Sequence, residues 1–380
     1  MSDSQGDDDM RLATFNVENL FERAKAMNLG DWSMGAAILE DFKQLNELIQ
    51  RDVYTQEIKS KLLAIMERHD GLLTKGEGTF IRLREIRGKL LVRPRNKPPE
   101  IAVSSRHEWI GWFELEKEPI KGKATENIAR VIGLLETDIL CIIEAEDRIG
   151  LNHFNREVLP FVEITPFNHV MLIDGNDTRG IDVGIMTKSP YEIIGMYSHI
   201  DDTDEKGTIF SRDCAEYEIK TALGNTLLLL VNHFKSKGYG SFVESAAKRL
   251  RQSRRVRDIY EARLTEGFDY IAVVGDLNAA SNEAAMDPLV REGSTLTDIM
   301  THTKFLGDGR PGTHGNGTAS AKLDYILMSP KLADKVEKGG IERRGVWGGK
   351  HGTLFPHLPT IETENDAASD HAALWVNIAI

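Results

Sequence analysis

The chain has 380 residues, of which 41% are apolar, so it is long enough for one large domain or two smaller ones with an ample core. Its formal net charge of −12 argues against a general polyanion binder, although it is compatible with a local basic groove or with a metal that links acidic groups to phosphate. No apolar run approaches the roughly 20 residues of a membrane span. The acidic start shows no secretory signal, and two cysteines are too few for a disulfide framework, so we expect a reducing, cytoplasmic setting.

The first third of the chain is predicted to mix strands and helices. Residues 1–9 are polar and acidic and are expected to be disordered. A strand is predicted at 12–17, and apolar residues then recur at helical spacing in two sets between Ala36 and Arg68, with Thr55 as the expected N-cap of the second set. Residues 80–92 and 101–116 are predicted strands separated by a proline-rich turn.

From residue 125 onward, strands dominate the pattern. A helix around Ile128 to Leu135 leads into a strand at 138–143. Further strands are predicted at 181–187, 191–197, 214–222, 226–232, 270–275, 323–328 and 372–379, and helices at 242–266 and 283–291. This order favours an α/β sandwich built on a mixed pair of sheets over a doubly wound parallel sheet.

The most informative stretch is 271–278, an apolar run too short for a helix that ends on two polar side chains. Side chains alternate along a strand, so Asp276 and Asn278 should point to the same side while Leu277 turns into the core. Gly275 would let backbone or ligand approach closely. Taken alone, the pair is explained equally well by ordinary turn chemistry.

Other predicted strands end on polar groups of the same kind. These are Asn16 and Glu18; Glu144, with Glu146 and Asp147 behind it; His233, Lys235 and Ser236; Asp324; and Asp370 with His371. Together they supply oxygen ligands for Mg²⁺, a histidine that an aspartate can orient as a base, and a second histidine that can donate to a phosphoryl oxygen. Metal-assisted attack of water on a phosphate ester requires this set of groups.

In this order and with these flanks, the chain resembles the endonuclease/exonuclease/phosphatase superfamily, the DNase I-like metal-dependent phosphodiesterases and phosphatases. The resemblance covers about residues 10–22 and 124–380. It implies a four-layered α/β sandwich of two packed mixed β-sheets flanked by helices, with the active site at one edge. The expected plan is a single domain over 10–380 that carries a family-atypical α+β insertion at about 23–123, after the first strand.

The resemblance also implies a set of metal ligands. Glu144 is similar to the principal ligand of Mg²⁺ or Mn²⁺, with Asn16 beside it. Glu18 occupies the place of an acidic residue found in several members, and Asp370 resembles an additional ligand of the metal or of its bound water. Where the family often has glutamine before the glutamate, this chain has Ile143, which removes a possible hydrogen bond behind the ligand.

For the chemistry itself, the resemblance assigns five further roles. Asp276 is similar to the group that orients or deprotonates the attacking water, and Asn278 to a phosphate or water contact. His371 resembles the active-site histidine of the family and Asp324 the aspartate that orients it. His233 matches the histidine that contacts the scissile phosphate or acts as an acid.

Each of these residues also has a purely structural explanation. Glu144 competes with Glu146, since both follow the strand at 138–143. Asp324 is close in sequence to Lys322 and could simply form an ion pair with it, and His233 could be an ordinary histidine at a strand end. All such explanations would have to hold together for the catalytic interpretation to fail, so we favour that interpretation.

The expected insertion carries a concentration of positive charge. Residues 75–97 include eight basic residues, Lys75, Arg82, Arg84, Arg87, Lys89, Arg93, Arg95 and Lys97, against Glu77 and Glu85. This segregation predicts a phosphate-backbone contact surface that includes Arg82 and Arg84. The segment could equally form a dimer contact or a lid. Lys235 and His314, which lies in the loop before the strand at 323–328, are further expected substrate contacts.

The sequence therefore predicts a Mg²⁺- or Mn²⁺-dependent phosphodiester hydrolase, a nuclease that cuts DNA or RNA by in-line attack of an activated water. The alternative is a phosphatase or phosphodiesterase acting on an inositol phosphate, a phospholipid head group or a nucleotide. A non-enzymatic binding module would be expected to have lost motif residues, and none is missing. No obligate protein partner is evident.

Overall fold

The computed structural model describes residues 9–18, 20–27, 29, 32–177, 179–237, 241–291 and 293–380. The predicted disorder of residues 1–9 lies outside the described residues except for Asp9, which begins the first strand. The chain divides into two compact units. The first unit holds the described residues of 1–21, 120–237 and 243–380, and the second unit holds those of 22–119 and 238–242.

The described chain contains runs of strands interrupted by helices. The strands are β1 (Asp9–Asn16), β2 (Glu22–Ala24), β3 (Ile81–Arg87), β4 (Leu91–Val92), β5 (Glu100–Ile101), β6 (Ile110–Leu115), β7 (Lys117–Pro119), β8 (Ile139–Ala145), β9 (His169–Ile173), β10 (Asp182–Thr187), β11 (Glu192–Tyr197), β12 (Thr203–Asp204), β13 (Gly207–Thr208), β14 (Cys214–Lys220), β15 (Thr226–His233), β16 (Tyr270–Asp276), β17 (Thr297–Asp298), β18 (Phe305–Leu306), β19 (Asp324–Met328), β20 (Val336–Glu342) and β21 (Ala373–Ala379). The helices are α1 (Trp32–Ile49), α2 (Gln56–Glu67), α3 (Leu72–Lys75), α4 (Gly122–Leu135), α5 (Arg148–His153), α6 (Leu159–Phe161), α7 (Phe242–Thr265), α8 (Asp287–Val290) and α9 (Pro330–Ala333).

The first sheet of the first unit has the order β18-β20-β21-β1-β8-β10-β9. Its two central strands, β1 and β8, are parallel, with Leu12 opposite Ile139 and Asn16 opposite Ile143. Parallel strands in this register end at the same edge of the sheet. The polar residues that close β1 and β8 are therefore brought together.

The second sheet has the order β11-β14-β15-β16-β19-β17. Strand β15 runs parallel to β16 with His233 opposite Asp276, and β19 runs antiparallel to β16 with Asp324 opposite the same residue. This register places three of the predicted site residues side by side at one edge.

The two sheets pack face to face and are covered by helices on their outer sides. Residues of both sheets, such as Cys141 of β8 and Leu229 of β15, share one buried apolar cluster. A second cluster joins Ile132 of α4 to the first sheet, and a third joins Val256 of α7 to the second sheet. Strands buried on both faces read as continuous apolar runs, which the sequence shows. The predicted four-layered sandwich is confirmed.

The second unit is an α+β structure with its own apolar core, which includes Phe42, Leu62, Ile81 and Phe113. Helices α1 and α2 appear where the apolar spacing predicts them, and the Thr55 side chain caps α2 by accepting a hydrogen bond from the backbone N–H of Ile58. Strands β2 and β7 pair at the two ends of the unit. The predicted α+β insertion after the first strand is therefore observed.

Some predicted elements differ from the structure. The strand expected at 80–92 is divided into β3 and β4, because Gly88 adopts a positive φ of 72° and the Glu85 carboxylate accepts hydrogen bonds from the N–H groups of Leu90 and Leu91. Strand β20 has no apolar alternation and was not predicted. It pairs antiparallel with β21, and the Trp375 ring packs over Gly340, where a Cβ atom would lie only 2.6 Å from the indole.

Across the described ranges, no helix combines the length and the apolar composition needed to cross a membrane.

Candidate active site

The first sheet contributes Asn16 and Glu144. Asn16 is the last residue of β1 and is buried. Its amide nitrogen donates to Glu144 Oε1 at 3.1 Å and to Asp276 Oδ2 at 3.2 Å, while its Oδ1 accepts the backbone N–H of Glu18 at 3.0 Å. The Asn16 amide therefore joins a carboxylate of the first sheet to a carboxylate of the second.

A backbone irregularity aims Glu144 into this cluster. The register between β8 and β10 shifts so that Asp182 pairs with Ala145 and Val183 with Ile143, which leaves Glu144 as the extra residue of a bulge. Its φ is +69°, an uncommon value for a residue with a side chain. Bulges of this kind redirect side chains near active sites.

The neighbouring glutamate has a different environment. Glu146 Oε1 accepts the backbone N–H groups of Leu20 and Phe21 at 2.9 and 2.7 Å. Glu146 thus fixes the segment that follows β1, whereas Glu144 lies with Asn16 and Asp276. Ile143, at the position where the family often has glutamine, is buried in the core between the sheets.

Asp276 and Asn278 form a compact local pair. Asp276 Oδ1 accepts the backbone N–H of Asn278 at 2.8 Å, and the Asn278 amide nitrogen donates to Asp276 Oδ2 at 3.1 Å and to the carbonyl of Phe234 at 3.3 Å. Gly275 has a φ of +122°, and a Cβ there would lie 2.0 Å from the carbonyl oxygen of Asn232. The close approach that glycine permits is thus that of the β15 backbone.

His371 and Asp324 are joined by a short hydrogen bond. His371 Nδ1 lies 2.8 Å from Asp324 Oδ2, and the Thr313 hydroxyl donates to the same oxygen at 2.6 Å. Burial disfavours the charged ring, but the carboxylates of Asp324 and Asp370 outweigh it and hold the pKa of His371 well above its usual value. His371 Nε2 lies 3.9 Å from Asp276 Oδ2, so the charged ring faces the cluster.

The structural explanation for Asp324 as a partner of Lys322 is wrong. The Lys322 ammonium instead pairs with Asp298 Oδ2 at 2.8 Å and lies over the Tyr325 ring.

His233 is buried between the acidic groups. Its Nε2 lies 3.5 Å from Glu144 Oε1 and 3.6 Å from Asp276 Oδ2, and neither ring nitrogen has a hydrogen-bond partner within the described chain. Burial, followed by the charges of Arg212 and Arg179, lowers the pKa of His233 well below its usual value. His233 is therefore a neutral imidazole with unused hydrogen-bonding capacity.

A buried ion-pair network of Asp177, Arg179 and Arg212 lies beside this cluster and was not predicted from the sequence. Arg179 forms a two-pronged contact with Asp177, at 2.8 and 2.6 Å, and Arg212 Nε lies 2.9 Å from the same carboxylate. Arg212 also donates to the carbonyl of Phe234 at 3.0 Å. Although burial opposes it, the two guanidinium groups hold the pKa of Asp177 well below its usual value. The available signal was an arginine two residues before each of the predicted strands at 181–187 and 214–222.

Sequence reasoning also missed two hydroxyl groups that connect the motifs. Besides bonding Asp324, Thr313 Oγ1 accepts the backbone N–H of Leu323 at 3.1 Å. Ser369 Oγ donates to the carbonyl of Asn16 at 2.7 Å and accepts the N–H of His371 at 3.0 Å.

The remaining predicted residues of the first unit lie at the rim. His314 Nε2 and Asp370 Oδ2 are 3.1 Å apart, with side chains 38% and 46% exposed, and the ring of His314 lies 4.8 Å from that of His371. Glu18 has a positive φ of 52° and follows Asn16 closely. The backbone N–H of Lys235 donates to Gln252 Oε1 at 2.9 Å, which ties the segment after His233 to α7.

Arg82 and Arg84 lie in the second unit and form ion pairs there. Arg82 Nε lies 2.5 Å from Glu116 Oε1, and Arg84 pairs with Glu114. Both glutamates lie outside the window of 75–97 from which the charge excess was counted. Their charges balance two of the eight basic residues in that window.

The donor atoms suit a divalent metal ion. Glu144, His233 and Asp276 bring ligand atoms within 4.8 Å of one another, as do Asp276, Asp324 and His371. The pKa of Asp276 is raised to about 7, first by burial, with His371 opposing and the charges of Asp324 and Glu144 adding to it. A cation would relieve this crowding of negative charge, and carboxylate oxygens are the ligands that Mg²⁺ and Mn²⁺ prefer.

Comparison with known proteins identifies the family. The model of the Endonuclease/Exonuclease/phosphatase family matches residues 120–371, about two thirds of the chain. The chain belongs to this family, whose members are hydrolytic phosphoesterases that generally depend on divalent metal ions. No curated protein sequence matches the chain.

Comparison with solved structures gives further matches. An endonuclease/exonuclease/phosphatase family protein from Bacteroides thetaiotaomicron is 19% identical, with a TM-score of 0.50 over 68% of this chain and 86% of that chain. A mannosyl-6-phosphatase from the same organism is 16% identical, with a TM-score of 0.48 over 68% and 91%. The human nocturnin catalytic domain is 15% identical, with a TM-score of 0.46 over 68% and 87%. At these identities the similarity concerns the fold alone.

Proposed function

We propose that this chain is a divalent-metal-dependent phosphodiester hydrolase whose substrate is nucleic acid, DNA or RNA. The observation that carries the proposal is the position of His233. Its buried, neutral ring has no hydrogen-bond partner in the described chain, and it lies within 3.6 Å of two carboxylates. A buried polar group without a partner is costly unless a ligand satisfies it, and a phosphoryl oxygen is a fitting acceptor.

Glu144 and Asn16 would hold the metal ion, with Asp370 and Glu18 as further candidates. When bound, the ion would neutralise the phosphate and stabilise the leaving oxygen. In the structure, Asn16 presents its amide nitrogen to the carboxylates. To act as a ligand it would turn its Oδ1 inward and release the backbone N–H of Glu18.

Asp276 would orient and deprotonate the attacking water. Burial raises the pKa of Asp276 above the ordinary carboxyl value, the direction that makes a carboxylate a stronger base. The backbone N–H of Asn278 fixes one carboxylate oxygen, and the Asn278 amide contacts the other. These two hydrogen bonds restrict the Asp276 side chain, so the carboxylate would not have to change its conformation to accept a proton.

Two histidines would stabilise the phosphate. His371 is charged, because its pKa is held well above the usual value, and its Nε2–H would donate to a phosphoryl oxygen while Asp324 fixes Nδ1. His233 is neutral and would donate one N–H to a second oxygen. Donors that are fixed before reaction contribute most to transition-state stabilisation.

The choice of nucleic acid rests on the distribution of charge. Residues 22–119 contain 17 Lys and Arg against 16 Asp and Glu, whereas the rest of the chain contains 30 against 43. A nearly neutral second unit with basic segments, in an otherwise acidic protein, supports contact with a polyanion. The acidity of the remainder favours the alternative, a phosphatase or phosphodiesterase for an inositol phosphate, a phospholipid head group or a nucleotide.

The test is direct. Purified protein with Mg²⁺ or Mn²⁺ should cut labelled single- or double-stranded DNA or RNA faster than it hydrolyses a panel of phosphate esters. His233→Ala should lose most of this turnover with an unchanged circular dichroism spectrum, and Phe161→Ala, at an exposed position of the first unit, serves as the control. Full activity of His233→Ala would contradict the assignment. Preference for a phosphomonoester would establish the alternative.

A further inference from the structure

The second unit carries an apolar and basic surface that the fold leaves open. Strands β3 and β6 form a two-stranded antiparallel ribbon in which Leu83 is opposite Phe113 and Arg84 is opposite Trp112. Side chains alternate across a strand, so one face of the ribbon carries Leu83 and Phe113 into the core of the unit. The opposite face is turned to solvent and is called the ribbon face below.

The ribbon face exposes large apolar side chains. Trp112 is 45% exposed, and Ile110 and Ile86 are 49% and 64% exposed. Ile110 lies two residues from Trp112 on β6, and Ile86 lies in the bulge where the register shifts between Glu85 and Arg87. A contiguous group of this kind on a soluble surface marks an interaction site more often than scattered single residues do.

Arginines flank the tryptophan. Arg84 is directly opposite Trp112, and Arg87 is opposite Ile110. Arg84 is held by an exposed pair with Glu114, an interaction that solvent screens and that a phosphate can displace. The segment 89–97, which follows β3 and contains β4, adds Lys89, Arg93, Arg95 and Lys97 without an acidic residue.

We infer that the ribbon face docks single-stranded nucleic acid, with a base stacked on the Trp112 indole and with Arg84 and Arg87 at backbone phosphates. The inference rests on the proposed function and names the part of the chain that selects an unpaired polymer. An aromatic platform beside cations is the arrangement by which proteins bind unpaired strands without reading sequence. The arginines complement the phosphates of that ligand, and the indole can stack on its bases. A lipid surface or a second copy of this acidic chain would not offer both bases and regularly spaced phosphates.

Binding is measured by fluorescence anisotropy with labelled thymidylate and uridylate strands of about 12 nucleotides. EDTA is present, so cleavage plays no part. Trp112→Ala should weaken binding by about 5- to 150-fold, the range expected for one lost stack of about 1–3 kcal/mol. Trp112→Phe should keep most of the affinity. Phe161→Ala, which removes an aromatic ring 72% exposed on the first unit, should bind like the wild type.

A second measurement addresses the arginines. The double variant Arg84→Ala/Arg87→Ala should reduce the slope of log affinity against log salt by about 1.4, since each phosphate contact on a single strand contributes about 0.7. Wild-type affinity of Trp112→Ala for both strands would overturn the inference. So would a loss in Trp112→Ala that is confined to anionic vesicles or to self-association.

The proposed function is checked separately with the wild-type protein and bis(p-nitrophenyl) phosphate, a small diester that needs no polymer-binding surface. Hydrolysis of the small diester together with wild-type oligonucleotide binding by Trp112→Ala would reject the ribbon face alone. Absence of hydrolysis of any phosphate ester would reject the proposed function, whatever the binding result.

Discussion

Asp324 Oδ2 lies 2.8 Å from Nδ1 of His371, and this contact joins the first residue of β19 in the second sheet to a residue that leads into β21 in the first sheet. The contact sets both the orientation and the charge of the imidazole. Because the ring is buried, its position depends on this carboxylate rather than on solvent. The pair is therefore the most direct place to test the proposed chemistry.

Replacing Asp324 by Asn should lower kcat by about 10²- to 10⁴-fold, by analogy with the loss of an aspartate that holds a catalytic histidine. The reason is that the neutral amide no longer favours the charged ring. Thr313→Ser, which keeps the hydroxyl that donates to Asp324, serves as the matched control and should stay within a few-fold of wild type. The measurement is kcat as a function of pH for both variants. A wild-type kcat for Asp324→Asn would argue against a catalytic role for the Asp324–His371 pair.

Glu144 and Glu146 should separate into a metal ligand and a structural residue. Glu144→Gln should reduce Mg²⁺ or Mn²⁺ affinity, measured by calorimetric titration, by more than the about 10- to 100-fold typical of outer-shell partners. Glu146→Ala should keep metal affinity but lose about 1–3 kcal/mol of stability, because the N–H groups of Leu20 and Phe21 lose their acceptor. The reverse pattern would exchange the two assignments.

Asp182 should make the protein less stable at alkaline pH. Burial raises the pKa of this first residue of β10 to about 7, above its value in the unfolded chain, although its side chain accepts the N–H of Gly175 at 2.8 Å. The folded chain thus holds the proton more tightly, and the stabilisation present below about pH 4 is lost as pH rises to about 7.

The Asp182→Asn variant should remove that loss. Its free energy of unfolding at pH 8 should exceed the wild-type value by up to about 4 kcal/mol, while the two should converge near pH 4. Urea unfolding at both pH values measures the difference. An equal difference in unfolding free energy between the two proteins at both pH values would show that Asp182 does not titrate between pH 4 and pH 8.

Gly275→Ala should severely destabilise the second sheet. The added Cβ would lie 2.0 Å from the Asn232 carbonyl oxygen, and backbone on both strands would have to move. We expect a loss of at least about 3 kcal/mol, in the range of overpacked cores and strained backbone. Gly224→Ala is the control, since it has a similarly positive φ of 83° but no atom within 4 Å of the new Cβ. Equal urea midpoints for the two variants would show that the clash is relieved at little cost.

Much of the site was predictable because each part is local in sequence. Asn16, Glu144, His233 and Asp276 each close an apolar run, and continuous apolar runs identify buried strands. Side-chain alternation put Asp276 and Asn278 on the same side. Choosing between Glu144 and Glu146 was beyond sequence, because a bulge decides which of them points into the cluster.

What sequence could not provide depends on long-range contacts. Arg179 and Arg212 come from two loops and both contact Asp177. Loops have no periodicity from which such a contact could be predicted. The ion pairs of Arg82 and Arg84 could not be predicted from residues 75–97 for the same reason. Glu114 lies on β6 and Glu116 directly follows that strand, so both ion pairs depend on the pairing of β3 with β6.

The bond from Ser369 Oγ to the Asn16 carbonyl ties the first motif to the last one. These two residues are 353 positions apart in the sequence, so Asn16 is synthesised long before Ser369. Until the segment around Ser369 folds back onto β1, His371 has no place beside Asp276, and the nascent chain holds only fragments of a site. The candidate site is therefore complete only after the last motif of the chain has joined the first.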